Sequence, residues 1–118
     1  MIIVWGLKNC DTCKKARTWL EGKEAAFAFK DVRADGLTAD RITEWLAAVG
    51  RDTLINRRGT TWRGLPAEVQ AAAEADDSAV ALMQANPALI KRPIFEMADG
   101  SVIVGFAKKQ QDDVEAGL

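Results

Sequence analysis

The stretch Ile2-Ile3-Val4-Trp5-Gly6-Leu7-Lys8-Asn9-Cys10-Asp11-Thr12-Cys13-Lys14-Lys15-Ala16 decides how this chain is read. Its opening is a short apolar, β-branched run stopped by Gly6, the pattern of a buried strand. Beyond Asn9-Cys10-Asp11-Thr12, the residues Ala16, Trp19 and Leu20 recur at three- and four-residue spacing as far as Gly22, which predicts a helix. Cys10 therefore stands just before a helix and Cys13 in its first turns. A thiol is weakly reactive until it ionises, and the unpaired amides at a helix N-terminus favour its thiolate. Lys8, Lys14, Lys15 and Arg17 crowd this same end. Cations there oppose the macrodipole but favour a local anion, which Asp11 opposes slightly.

Outward from this stretch, Phe27-Ala28-Phe29 followed by Asp31-Val32-Arg33 predicts a second strand leading into the turn Ala34-Asp35-Gly36. Thr38 then offers an N-cap hydroxyl to a helix whose stripe is Ile42, Trp45, Leu46 and Val49, ended by Gly50. Asn56-Arg57-Arg58-Gly59-Thr60-Thr61 has turn chemistry and predicts an exposed basic loop. Two helices are expected from Pro66 to Ala75 and from Ser78 to Ala85, with Asp76, Asp77 and Ser78 placed to begin the second and Asn86-Pro87 to end it. Ile94-Phe95-Glu96 and Val102-Ile103-Val104-Gly105-Phe106 flank Ala98-Asp99-Gly100-Ser101, the pattern of a β-hairpin. The charged tail from Lys108 allows a last helix or a frayed end. The resulting order is β-α-β, a helical insertion, then β-β and a last helix. It predicts an α/β domain with a mixed four-stranded sheet, the outline of a thioredoxin-like fold.

Composition narrows the chemistry. At 118 residues and 48% apolar content, one domain over residues 1–118 is expected. Sixteen basic against 17 acidic residues give a net charge of −1, so there is no electrostatic case for a nucleic-acid partner. No run approaches the roughly 18 apolar residues of a membrane span, and the N-terminus lacks signal-peptide order. A cytoplasmic protein with no membrane partner is expected. A C-x-x-C pair in that compartment points to redox chemistry or metal binding rather than a structural staple. Histidine is absent, which removes Cys-His nucleophile pairs, and two cysteines fall short of the four ligands of structural zinc. No metal site is expected. The remaining reading is an attacking Cys10 thiolate, with Cys13 one turn later as the resolving thiol. Arg57, Arg58, Arg63 and Arg92 are candidate clamps for an oxyanion or a carboxylate. Pro93, before the Ile94 strand, reads from sequence alone as a strand-entry proline.

Gly6-Leu7-Lys8-Asn9-Cys10-Asp11-Thr12-Cys13-Lys14-Lys15-Ala16, Asn56-Arg57-Arg58-Gly59-Thr60-Thr61-Trp62-Arg63 and Asn86-Pro87-Ala88-Leu89-Ile90-Lys91-Arg92-Pro93-Ile94, in this order and spacing, resemble the arsenate reductase (ArsC)/Spx family, and most of all its YffB-like branch. The resemblance covers nearly the whole chain. It implies a thioredoxin-like fold with a helical insertion, a cis bond at Pro93, and Cys10 in the place of the cysteine that attacks arsenate. It further implies that Arg92 binds the anion from beside the cis-proline, with Arg57 or Arg58 as a second anion ligand. No bound cofactor is implied. The electron donor would be glutathione, glutaredoxin or thioredoxin, and the substrate a small oxyanion, a disulfide or a glutathione mixed disulfide. Two departures stand out. The glutaredoxin-coupled arsenate reductases carry a third arginine where this chain has Gly105, and they use one catalytic cysteine where this chain also has Cys13. The alternative implied by the same resemblance is an Spx-like regulator that binds RNA polymerase, with a Cys10–Cys13 disulfide as its redox switch.

Overall fold

The strand expected at the start of the chain becomes the hub of the sheet. In a computed structural model that describes all residues 1–118, β1 (Ile2–Gly6) is followed by α1 (Asp11–Gly22) and β2 (Phe27–Asp31). β1 pairs with β2 in parallel from Ile2↔Phe27 to Gly6↔Asp31. On its other side it pairs antiparallel with β3 (Ile94–Glu96), through Ile3↔Glu96, Val4↔Phe95 and Trp5↔Ile94. β3 in turn pairs antiparallel with β4 (Val102–Val104), so the sheet order is β2-β1-β3-β4. This is the mixed four-stranded sheet expected from the sequence. Strand β4 is shorter than expected because Gly105, at φ +102°, turns the chain away while its N–H still reaches the Pro93 carbonyl at 2.9 Å.

Alternation along β1 sends Ile2, Val4 and Gly6 to one face, as the two-residue period of a strand requires. There Ile2 and Val4 join Ala16 and Leu20 of α1, Phe95, Met97, and Val114 of a C-terminal helix, Lys108–Ala116, in one buried cluster. Trp19, Phe29 and Phe106 pack at its margin, with the Trp19 and Phe106 rings edge-to-face at 5.5 Å. Burying Val114 explains why the polar tail folds rather than frays. Lys108–Asp112 and Lys109–Asp113 pairs, four residues apart, support its exposed face. Asp99 and Gly100 close the hairpin: Gly100 sits at φ +90° and the Asp99 carboxylate accepts from the Ser101 N–H at 2.9 Å.

The chain forms two compact units, residues 1–35 with 92–118, which hold the sheet, and residues 36–91, which are helical. In the helical unit α2 (Ala39–Val49) begins as expected, with the Thr38 hydroxyl accepting from the Arg41 N–H at 3.2 Å, and stops at Gly50, φ +84°. Short helices α3 (Arg51–Leu54) and α4 (Thr60–Arg63) follow, so the basic loop narrows to Asn56–Gly59. The helix expected over 66–75 is instead α5 (Ala67–Gln70) and a 3₁₀ turn, Ala71–Glu74. Helix α6 (Asp76–Ala85) starts two residues ahead of Ser78, and Ser78 is not its cap. The Ser78 hydroxyl donates back to the carbonyls of Ala72 (2.6 Å) and Ala75 (3.2 Å), fastening the break between the two segments. Pro87–Leu89 forms a second 3₁₀ turn, and Ile55 and Ile90 make an isolated antiparallel bridge. Ile42, Trp45, Leu54, Met83, Leu89 and Ile90 are the largest fully buried side chains of this unit. No helix in the chain is long and apolar enough to cross a membrane.

One contact ties this fold to its chemistry. A Cβ on Gly6 would lie 2.5 Å from the Cys13 sulfur and 3.3 Å from the Phe29 ring. The fully buried Cys13 has no room to retreat. Gly6→Ala is therefore expected to lower stability by about 1–3 kcal/mol through overpacking, read as a lower midpoint in urea unfolding. Adding Cys13→Ala should restore most of that loss. A Gly6→Ala midpoint equal to wild type would show that the sulfur does not occupy this niche.

Candidate active site

The loop between β1 and α1 is held at both ends. The Cys10 N–H reaches back to the Leu7 carbonyl at 3.2 Å, and the Cys10 carbonyl accepts the first helical bond, from the Lys14 N–H at 3.0 Å. Cys10 is thus the N-cap residue, in extended conformation, and Cys13 is the third residue of the helix. Cys10 is half-buried and Cys13 fully buried, and both are free thiols. This matches the placement read from the sequence.

The two thiols are electrostatically unequal. Burial raises the Cys10 pKa, but the Cys13 amide, the Cys13 thiol and the Arg92 guanidinium together bring it below the ordinary thiol value. No cap hydrogen bond closes onto the Cys10 sulfur, so the amide acts as an oriented dipole. Cys13 moves the other way. Burial, and then the neighbouring Cys10 sulfur, push its pKa up to about 11, against smaller help from the Leu7 amide and Arg92. The pair is therefore one poised nucleophile and one stored thiol.

The cation that matters is not among those adjacent in sequence. Lys14 and Lys15 are exposed on the outer face of α1, and Arg17 lies over the Phe29 ring at 4.4 Å. Arg92 is brought in by the β1–β3 pairing, which places it at the end of β3 beside the β1–α1 loop. The Arg92–Pro93 bond is cis, as the family resemblance implied, and Pro93 is buried. Cys10, Cys13 and Arg92 thus come together, with Pro93 directly before β3.

Cys10 and Arg92 open on a cleft of about 440 Å³, lined also by Leu7, Lys8, Asn9, Asp31, Arg33 and Ala34. Asp31 is the functional residue that sequence reasoning missed. It is the one charged side chain buried in the chain, at 7% exposure. One carboxylate oxygen accepts from the N–H groups of Arg33 (2.7 Å) and Ala34 (3.1 Å), and the other from Lys8 N–H at 3.3 Å. Burial raises its pKa, and these three amides with the Lys8 charge more than offset it, so Asp31 stays ionised. The same carboxylate ends β2 at Asp31, shorter than expected, by capping the turn that follows. An aspartate two residues before an arginine in a strand-to-turn segment was the available signal.

Arg57 and Arg58 belong to the helical unit. The Arg57 guanidinium pairs with Asp52 at 3.3 Å and lies 5.4 Å from the centre of the Trp62 ring. The Arg58 N–H donates to Asn56 Oδ1 at 3.1 Å, and the Arg63 guanidinium donates to the Arg58 carbonyl. With Asp52, Ile55, Asn56 and Lys91 the two arginines line a cleft of about 550 Å³. Arg57 is already compensated by a carboxylate, whereas the exposed Arg58 side chain makes no ion pair.

A strand-to-helix C-x-x-C on a four-stranded mixed sheet, facing a cis-proline, defines the class as thioredoxin-like. Within that class the chain belongs to the ArsC family, which it matches over residues 5–114. A solved YffB protein is 39% identical, covers 100% of this chain and 99% of its own, and superimposes with a TM-score of 0.89. An arsenate reductase (ArsC) related protein of Brucella melitensis is 40% identical with a TM-score of 0.75, over 95% of this chain and 92% of its own. A global transcriptional regulator Spx of Staphylococcus saprophyticus is 28% identical over 96 residues, 80% of this chain and 72% of that protein. The family is reductase-like, with regulators among its members.

The inequality of the two thiols is measurable. Thiolate absorbance near 240 nm is expected to rise in two steps, one below the ordinary value of 9.0 and one at about 11. These belong to the pair as a whole. Arg92→Ala should move the first step upward, because a cation that favours the thiolate is lost. Two thiols ionising together near the ordinary value would contradict this account.

Proposed function

We propose that this protein is a thiol-dependent reductase in which Cys10 is the nucleophile and Cys13 the resolving thiol. The observation that carries this reading is the opposed ionisation of the two cysteines, with Arg92 beside the one whose pKa is lowered. On a disulfide, the Cys10 thiolate attacks one sulfur, the substrate S–S bond breaks, and the displaced sulfur leaves as a thiolate that takes a proton from water. Once the Cys10 sulfur is bound in a mixed disulfide its charge is gone, and with it the influence that helped hold Cys13 protonated. Cys13 then loses its proton and attacks Cys10, forming the internal disulfide and releasing the second thiol. An external thiol donor, glutathione or a glutaredoxin- or thioredoxin-type protein, returns two electrons.

On arsenate the same thiolate would displace hydroxide or water to form a sulfur–arsenic bond, with Arg92 balancing the oxyanion charge. A second thiol then attacks Cys10, arsenic leaves as arsenite with two electrons gained, and two sulfurs are oxidised to a disulfide. Gly105 cannot supply a third cationic clamp, and at φ +102° the backbone disfavours any side chain there. This favours disulfides over arsenate. In the helical unit Arg58 is the candidate anion ligand, since its guanidinium is unpaired with any carboxylate.

The Spx relative favours a second reading, in which the Cys10–Cys13 disulfide switches a binding surface rather than completing a catalytic cycle. One assay separates the two: glutathione-supported turnover, with and without glutaredoxin, on arsenate and on a mixed disulfide. Cys10→Ser should reduce turnover by at least about 10³-fold. Cys13→Ser should leave a slower turnover that rises with glutathione concentration, because an external thiol must then resolve the intermediate. Wild-type protein that forms a reversible internal disulfide yet turns over neither substrate would favour the regulator.

A further inference from the structure

The Cys10 cleft carries more positive charge than the nucleophile requires. Its wall holds Lys8, Arg33 and Arg92 against a single carboxylate, Asp31. That carboxylate is buried and spent on three backbone amides, so it offers little to a ligand. Arg92 serves Cys10. The Lys8 ammonium and the Arg33 guanidinium, both exposed, enter no ion pair. Some basic side chains elsewhere do have a carboxylate partner, as in Lys23–Glu115, Arg51–Asp76 and Arg57–Asp52.

These two cations, neither of them in an ion pair, are not independent surface charges. The buried Asp31 carboxylate receives the backbone N–H of Lys8 through one oxygen and that of Arg33 through the other. The parallel pairing adds a second tie, since Val32 N–H donates to the Gly6 carbonyl at 2.9 Å. The segment before Cys10 and the turn after β2 are thereby locked side by side, each presenting one cation to the cleft that holds the nucleophile. Such a fixed pair of donors suits carboxylates, with the planar guanidinium of Arg33 able to hold one in two-point fashion.

We infer that Arg33, aided by Lys8, is the specificity-determining residue of this cleft, holding the carboxylate of a peptide-type thiol such as a glutathionyl group while Cys10 attacks its sulfur. The inference rests on the reductase reading for the chemistry at Cys10, and goes beyond it in naming the residue that would select a glutathionyl substrate among the disulfides which that reading allows. The step is a thiolate–disulfide exchange: the Cys10 sulfur bonds to the glutathionyl sulfur, the original S–S bond breaks, and the departing thiolate is protonated by water.

The test is the stoichiometric thiolation rate of Cys10 in a Cys13→Ser background, followed by mass spectrometry with glutathione disulfide and with bis(2-hydroxyethyl) disulfide, which has no carboxylate. The quantity read is the ratio of the two rates. Arg33→Ala should lower it about tenfold, the equivalent of one charge-assisted hydrogen bond, and Arg33→Lys should restore part of it. Lys109→Ala, which removes the same charge from the C-terminal helix, should leave the ratio unchanged. An Arg33→Ala ratio equal to the parent's, or one lowered as much by Lys109→Ala, overturns the inference. Turnover is scored separately on protein retaining both cysteines: thiolation with the expected ratio but no turnover overturns the reductase reading alone, and a Cys10 that reacts with neither disulfide overturns both.

Discussion

The register of β1 between its two neighbours is the constraint on which the rest of this site depends. Antiparallel pairing with β3 sets Trp5 opposite Ile94, so Pro93 and Arg92, the two residues before Ile94, enter the sheet next to the end of β1. Parallel pairing with β2 ends at Gly6↔Asp31, delivering Asp31 and then Arg33 to the same loop. Cys10 and Arg92, more than 80 positions apart in the chain, thus line one cleft because of how the strands pair. Shifting either pairing by one residue would turn Val4 and Phe95 out of the core, so packing protects the register and, with it, the chemistry.

Catalytic asymmetry is then a matter of depth. Both cysteines sit in the first turn of one helix and share the same positive end, yet one faces the cleft and the other faces the sheet. The helix end favours both thiolates, whereas solvation favours only the outer one. Arg92 widens the difference because its guanidinium lowers the Cys10 pKa, whereas for Cys13 its help is outweighed by burial. In the proposed reaction, a buried thiol whose pKa is raised by its neighbour's sulfur would act second without any moving part.

How much of this was legible in the sequence follows from range. The strand-to-helix C-x-x-C, the stripe of α2 with its Thr38 cap and the Asp99-Gly100 hairpin were readable because each is set by contacts within a few residues. The break between α5 and α6 was not, since it is fixed by the Ser78 hydroxyl on the Ala72 carbonyl, against the helical preference of the alanines themselves. At the site, Cys10 and Cys13 were readable as a pair and Arg92 as a candidate anion clamp, but that Arg92 rather than the adjacent lysines stands by Cys10 is not set by local contacts. Charges on one helix diverge around its circumference, while Arg92 converges from another strand. Asp31 was missed because a carboxylate at a strand end usually reads as a surface turn residue, and only the sheet shows it to be buried.

Gly6 and Cys13 occupy what is in effect a single volume, because the sulfur fills the space where a side chain at position 6 would begin. As sequences of this architecture drift, the two positions cannot vary independently. A sequence that keeps the second cysteine can place a side chain at the end of its first strand only if the sulfur shifts. One that gives up the resolving thiol for a smaller residue opens that strand position to alanine. The room for the Cys13 sulfur is therefore shaped from two elements, the helix that carries the thiol and the glycine that ends the first strand.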